Sequence, residues 1–183
     1  MTVGASASAS TRTPPPAAQD GQALCLACGL CCKGVWFAHV ALEPDEIDRA
    51  RQAGLHLETL GEKVIFHQPC VLHQDNKCSA YGTWRPATCV KFRCALLEDY
   101  ESGQISLERA TTHVASARAL ADRVFVEAGS VKGGLVGKAF TARLNDEPAE
   151  PGQPQQQPLT QATKLDAVAL KFYYRKFFKK VDV

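Results

Sequence analysis

A small, irregular α+β domain organised by metal is what this chain of 183 residues predicts. Three observations lead there. All eight cysteines fall within 70 consecutive positions, from Cys25 to Cys94. Between residues 23 and 100, Ala, Gly and Cys are plentiful and large aliphatic side chains are few, so little of a conventional apolar core is expected there. Beyond the cysteines, apolar residues recur every three or four positions in two stretches, which is the period of a helix.

Composition narrows the class further. At 45% hydrophobic and 22% charged, the chain is ordinary globular protein, one domain in length with room for an appendage. No run of 18 apolar residues exists, so no transmembrane helix is expected. A formal net charge of +2 is too small to argue for nucleic acid by itself.

Taken in chain order, residues 1–21 are rich in Ser, Ala and Pro and predict a disordered N-terminal segment. They carry no basic start followed by an apolar run, so they do not read as a secretory signal, and Arg12 alone is too little for an organelle transit peptide. The expected compartment is the reducing cytoplasm, where thiols stay free for metal. A cysteine-cluster domain with its following helix is expected over 22–129, a Gly/Pro/Gln-rich linker over 130–163, and a basic amphipathic helical tail over 164–183.

The helix closing the cysteine domain is expected at 107–128. Leu107, Ala110, Val114, Ala117, Ala121, Val124 and Ala128 line one face, Ser106 can cap its start, and Gly129 can end it. The stretch Gly133-Gly134-Leu135-Val136-Gly137-Lys138 looks like a phosphate loop and is not one. Lys132 stands where the first glycine belongs, and Ala139 where Ser or Thr is needed. In the tail, Leu170, Tyr174, Phe177 and Val181 line one side, with Lys171, Arg175 and Lys179 on another. Six Lys/Arg against two Asp from Lys164 onward give the tail +4 and leave the rest of the chain at −2. RNA or an anionic membrane surface are the partners such a tail could meet.

The chemistry lies in the cysteines. Residues 25–32 read Cys-Leu-Ala-Cys-Gly-Leu-Cys-Cys. Two-residue gaps let a tight turn aim successive thiolates at one point, and Gly29 allows a left-handed residue inside that turn. Amides freed near the turn can donate to sulfur. Cys25, Cys28 and Cys31 are one short of a tetrahedral set, and the same triplet spacing holds iron–sulfur clusters in bacterial ferredoxins. Cys32 cannot easily share one small tetrahedron with its neighbour Cys31, because adjacent side chains diverge. The second stretch supplies Cys70, Cys78, Cys89 and Cys94. Eight sulfurs make two sets of four, as two zinc sites, one [4Fe–4S] cluster plus one zinc, or a bridged two-metal cluster.

Asp75-Asn76-Lys77 reads as a turn whose hairpin would bring Cys70 and Cys78 together. Tyr81 and Phe92 are expected in the apolar shell of the site, together with Trp84. Arg85 is expected to pair with a carboxylate, or else to donate toward thiolate. His67 and His73 flank Cys70 at three residues on either side, and imidazole suits zinc and iron. Eight thiols already fill two sets without them.

These motifs resemble the YkgJ-like CxxCxxCC family of zinc- or iron-chelating domains. The resemblance covers roughly Leu24 to Cys94. It rests on Cys25 to Cys32 followed by the basic Lys33, on Leu42-Glu43-Pro44-Asp45-Glu46-Ile47 as a helix start, and on Pro69-Cys70, Leu72, Cys78, Tyr81 and Arg85-Pro86-Ala87-Thr88-Cys89. Glu43 replaces the usual Ser or Thr cap, while Val90 and Arg93 depart from the family's ending. What the resemblance implies is metal binding, zinc or iron at one or two centres, with no catalytic residue assigned. Larger relatives with similar cysteine patterns are iron–sulfur methyl-transfer enzymes, so an iron–sulfur redox or methyl-transfer component is one alternative. A zinc-stabilised adaptor binding RNA or protein through the tail is another.

Overall fold

The structure, a computed structural model, describes residues 21–129, 134–135, 138–147 and 157–179. Readings for residues 1–20, for the phosphate-loop-like residues 133 and 136–137, for the Pro/Gln-rich residues 148–156 and for Val181 lie outside these. Helix α1 (Gln22–Cys28) carries the first two cysteines and ends at Gly29, whose φ of 63° only a glycine adopts without strain. Three short strands follow, β1 (His39–Ala41), β2 (Leu57–Leu60) and β3 (Lys63–His67). They form an antiparallel sheet in the order β1–β3–β2, with Val40 opposite Phe66.

Between β1 and β2 the chain makes a 3₁₀ turn (Pro44–Glu46) and helix α2 (Ile47–Gln52), with Pro44 at the start as the sequence suggests. The missing Ser/Thr cap is made good three residues on. The Glu46 carboxylate accepts from the Glu43 amide at 3.0 Å, completing a capping box. Glu46, itself buried, also accepts from the amide of Ala87 at 2.6 Å. It therefore ties this turn to helix α3 (Ala87–Lys91), which carries Cys89. Before α3 comes a hairpin of β4 (His73–Gln74) and β5 (Lys77–Cys78). Asp75 and Asn76 make its turn in left-handed conformations, as their side chains tolerate.

Helix α4 (Ala95–Glu101) leads into α5 (Leu107–Ala128), the long helix the periodicity predicts. The Ser106 hydroxyl accepts from the Arg109 amide at 3.3 Å, and Gly129 follows the last turn. Ala110, Val114, Ala117, Ala121 and Val124 are buried, while Leu107, in the first turn, is half exposed. Helix α6 (Lys138–Leu144) and helix α7 (Gln161–Tyr173) complete the described elements. Thr160 caps α7, and the Glu127 carboxylate at the end of α5 accepts from the Thr160 amide at 2.5 Å. Arg123 pairs with Asp166 at 2.7 Å, so α5 and α7 are clamped along their length.

The basic tail is thus a helix lying on α5. Its last turn, Tyr174–Phe178, widens to π geometry. About one extra residue per turn widens the inward face, so Phe178 is buried and Phe177, which the spacing predicts there, packs half-buried on the same core. The span read from sequence as a linker also contributes to the interior: Leu135, Phe140 and Leu159 are buried in the same apolar core as Leu30, Val114, Leu170 and Phe178. Gly134 explains part of this. A Cβ there would stand 2.9 Å from the Gly34 carbonyl, and the Leu135 amide donates to Val35 at 3.1 Å, so Gly134 and Leu135 lie against the backbone just after the cysteine turn. A second, smaller cluster of Leu42, Ala50, Leu55 and Phe66 sits under the sheet. An apolar core of this extent is larger than the sequence suggested. Among the described residues, no helix is long and apolar enough to cross a membrane.

Candidate metal centre

Backbone hydrogen bonds bring the two cysteine-bearing stretches together. The Cys70 amide donates to the Cys32 carbonyl at 2.8 Å, and the Gln68 amide to Ala38 at 2.8 Å. The β4–β5 hairpin then places His73 directly opposite Cys78. Arg118, on α5, donates to the carbonyl of Ala27 at 2.6 Å, and Lys33 pairs with Asp122 at 3.1 Å. The cysteine turn is thereby gripped from the helical side as well.

All eight cysteines are free thiols; Cys25 is exposed and the other seven are half-buried. They fall into two neighbourhoods. Burial pushes the Cys28 thiol up to about 12, with Cys94 and Cys25 beside it pushing the same way. Cys31 is driven well above its ordinary value by burial, then by Cys28, Cys94, Cys32 and Cys25. Cys32 is raised by burial, then by Cys70, Cys78 and Cys89. Burial takes Cys89 up to about 12, and Cys70 and Cys78 add to it. Cys28, Cys31 and Cys94 thus neighbour one another, as do Cys32, Cys70, Cys78 and Cys89, while Cys25 neighbours both groups. The adjacent residues Cys31 and Cys32 lean toward different groups, although Cys32 also raises Cys31. The two sets adjoin, since Cys25 is raised first by burial but also by Cys78.

Cys25, Cys28, Cys31 and Cys94, together with Cys32, line a cavity of about 60 Å³ walled by Leu24, Leu30, Trp36, Leu97 and Phe178. Trp36 Nε1 is buried without a hydrogen-bond partner. Backbone amides meanwhile face sulfur. Leu30 lowers Cys28, Leu72 and His73 lower Cys70, and Leu97 and Leu96, at the start of α4, lower Cys94. In each case burial outweighs them. Amide donors on sulfur favour thiolate, the form that binds metal. Soft thiolates with such donors suit zinc and iron–sulfur groups, so this donor set fits either. Among the described residues, no three Cys, His, Asp or Glu side chains stand ready-made as a metal cage.

The other expected residues are distributed around these sulfurs. At Gly29, a Cβ would lie 2.6 Å from His73 Nε2, so the glycine serves close approach as well as its turn. Lys33 faces Asp122 on α5 and not sulfur. The guanidinium of Arg85 lies 3.6 Å over the Tyr81 ring, and its charge helps to lower Cys25 and Cys89 against burial. A carboxylate partner for Arg85 is not found among the described residues. Phe92 packs edge-on against Phe37 and borders the cavity. Trp84, by contrast, packs on the sheet-side cluster. Sequence reasoning missed Arg118, Trp36 and Glu46. Arg118 reaches 91 positions back along the chain, a separation no local pattern reports.

Without metal, the raised thiols make alkali destabilising. The folded chain holds their protons more tightly than the unfolded chain, whose thiols titrate near 9.0. The stability this confers is fully present below pH 9 and is lost as pH rises toward about 11 to 12, the range of Cys94, Cys28 and Cys89. Metal-free protein melted at a series of pH values is expected to show Tm falling across that window. A Tm that stays level or rises there would contradict these shifts.

Residues 24–113 match the family model CxxCxxCC, described as a "putative zinc- or iron-chelating domain". No curated protein and no solved structure matches the chain.

Proposed function

Residues 24–113 belong to the CxxCxxCC family of zinc- or iron-chelating domains, and from that premise we propose that this protein binds zinc or iron at two adjoining thiolate centres. One centre takes Cys25, Cys28, Cys31 and Cys94; the other takes Cys32, Cys70, Cys78 and Cys89. The observation that carries this reading is the gathering of the thiols into two neighbourhoods, Cys28, Cys31 and Cys94 in one and Cys32, Cys70, Cys78 and Cys89 in the other, with Cys25 beside both. Neighbouring side chains diverge, so a Cys-Cys pair is suited to feeding two sites. The amides of Leu30, Leu72, His73, Leu96 and Leu97 hold negative charge on sulfur, and the apolar wall of the first cavity excludes water. A bound zinc would brace the fold, whereas an iron–sulfur cluster would supply one-electron transfer.

Two features favour an iron–sulfur group at the first centre. Its three CxxCxxC sulfurs with a remote fourth are the spacing such clusters use. The unpartnered Trp36 Nε1 on its wall is a donor for which inorganic sulfide would be an acceptor. Elemental analysis and visible absorption of anaerobically purified protein test the proposal. Cys31→Ser should empty the first centre and Cys32→Ser the second, each lowering metal content from two centres to one. If one substitution removed both metals and the other removed none, the two-centre reading would fail.

A further inference from the structure

His67 and His73 are symmetric about Cys70 in sequence and very different in the fold. His67, on β3, is bonded through Nε2 to the Glu58 carboxylate on the neighbouring strand β2, at the surface. Its ring already has a partner. His73 lies opposite Cys78 in the β4–β5 ladder, and directly opposed residues of an antiparallel pair project from the same face. Its Nε2 is buried and has no hydrogen-bond partner. The ring's hydrogen bond is to the backbone of Asn76. With Nε2 unpartnered, that bond belongs to Nδ1, which it marks as the protonated nitrogen. Nε2 then carries the lone pair. A ring fixed through Nδ1–H to a carbonyl, with Nε2 free, is the arrangement of metal-binding histidines.

The lone pair points into the cysteine turn, since a Cβ on Gly29 would stand 2.6 Å from Nε2 and 3.2 Å from Cε1. Gly29 lies between Cys28 and Leu30, so the imidazole occupies the seam between the hairpin and the CxxCxxCC segment. A buried acceptor there with nothing to accept from is costly to keep unless an electrophile engages it.

We propose that His73 Nε2 is a ligand of the centre formed by Cys32, Cys70, Cys78 and Cys89, making it a mixed nitrogen–sulfur site. The proposal rests on the two-centre reading above. A tetrahedral ion takes four donors, so a nitrogen from His73 releases one sulfur of that set. The first centre keeps an all-sulfur shell.

Cadmium-113 serves as the probe, loaded into the full-length chain carrying nitrogen-15 histidine. The expected result is two cadmium resonances, one of them shifted toward mixed nitrogen–sulfur coordination and split by a single histidine Nε2. His73→Ala should abolish that coupling, and His67→Ala should leave it intact. Two loaded centres with no histidine nitrogen coupled to cadmium would overturn the role of His73 and leave the two-centre reading standing. Failure of the wild-type chain to bind cadmium at either centre would overturn both. The wild-type spectrum decides by itself, so the outcome does not depend on how well His73→Ala folds.

Discussion

Chelation of the metal-loaded protein is expected to melt the sheet side of the molecule, residues 38–92, and to leave α5 and α7 folded. The sheet side has little to hold it otherwise. Its strands are two to five residues long, and its buried cluster consists of Leu42, Ala50, Leu55 and Phe66, with Cys70 and Cys89 packed against them. Short hairpins and such a small cluster are marginal in water. A structural zinc contributes on the order of 10–16 kcal/mol of apparent binding energy, against a whole-domain stability of about 5–15 kcal/mol. The helical side is different. α5 and α7 bury Val114, Val124, Leu170 and Phe178 in one core and are clamped by Arg123–Asp166. Hydrogen exchange before and after anaerobic chelation reads this out. Amides of β1 to β5 should lose protection while the middle of α5 keeps it. Uniform loss would mean that the two sides unfold as one unit. Unchanged protection throughout would mean that metal has no structural part.

Phe178→Ala should cost about 3–5 kcal/mol, the usual range for emptying a large aromatic from a core. Phe178 is buried beside Trp36, with ring centroids 5.1 Å apart, and it walls the cavity next to Cys31. Phe172→Ala is the comparison. That ring is 58% exposed on the outer face of α7, and its loss should change stability by no more than about 0.5 kcal/mol. Denaturant titration of the loaded proteins measures both. Equal effects would show that the widened last turn does not direct Phe178 inward. Removing residues 164–183 would for the same reason strip Leu170 and Phe178 from the core, so deletion of the tail is no clean test of a partner.

How much of this was legible in the sequence depends on how local the signal was. Helix α5 was readable to its ends, because an amphipathic helix announces itself through its own period and through caps at Ser106 and Gly129. The Asp75-Asn76 turn was readable for the same reason, since both residues accept left-handed conformations. The cysteine cluster was visible as a cluster, and the adjacency of Cys31 and Cys32 hinted at two sites. Which sulfur neighbours which needed three dimensions, because the Cys32–Cys70 contact spans a long loop. Phe177 packs half-buried on the core as its spacing suggests, while the deeper burial of Phe178 was not visible because π geometry leaves no mark in composition. Phe140 and Leu135 looked like linker residues because the glycines around them suggest a loop. One of those glycines instead permits the close backbone approach that carries Leu135 inside.

The grip of α5 on the cysteine turn, through Arg118 to the Ala27 carbonyl and Lys33 to Asp122, gives metal recharging a direction. Once an ion has left and the sheet has come apart, the 25–33 arm is still moored to a standing helix. Reassembly therefore starts from one seed, and the 70–89 arm is recruited to it. A chain emptied this way is expected to refill from that moored arm without returning to a random chain between rounds.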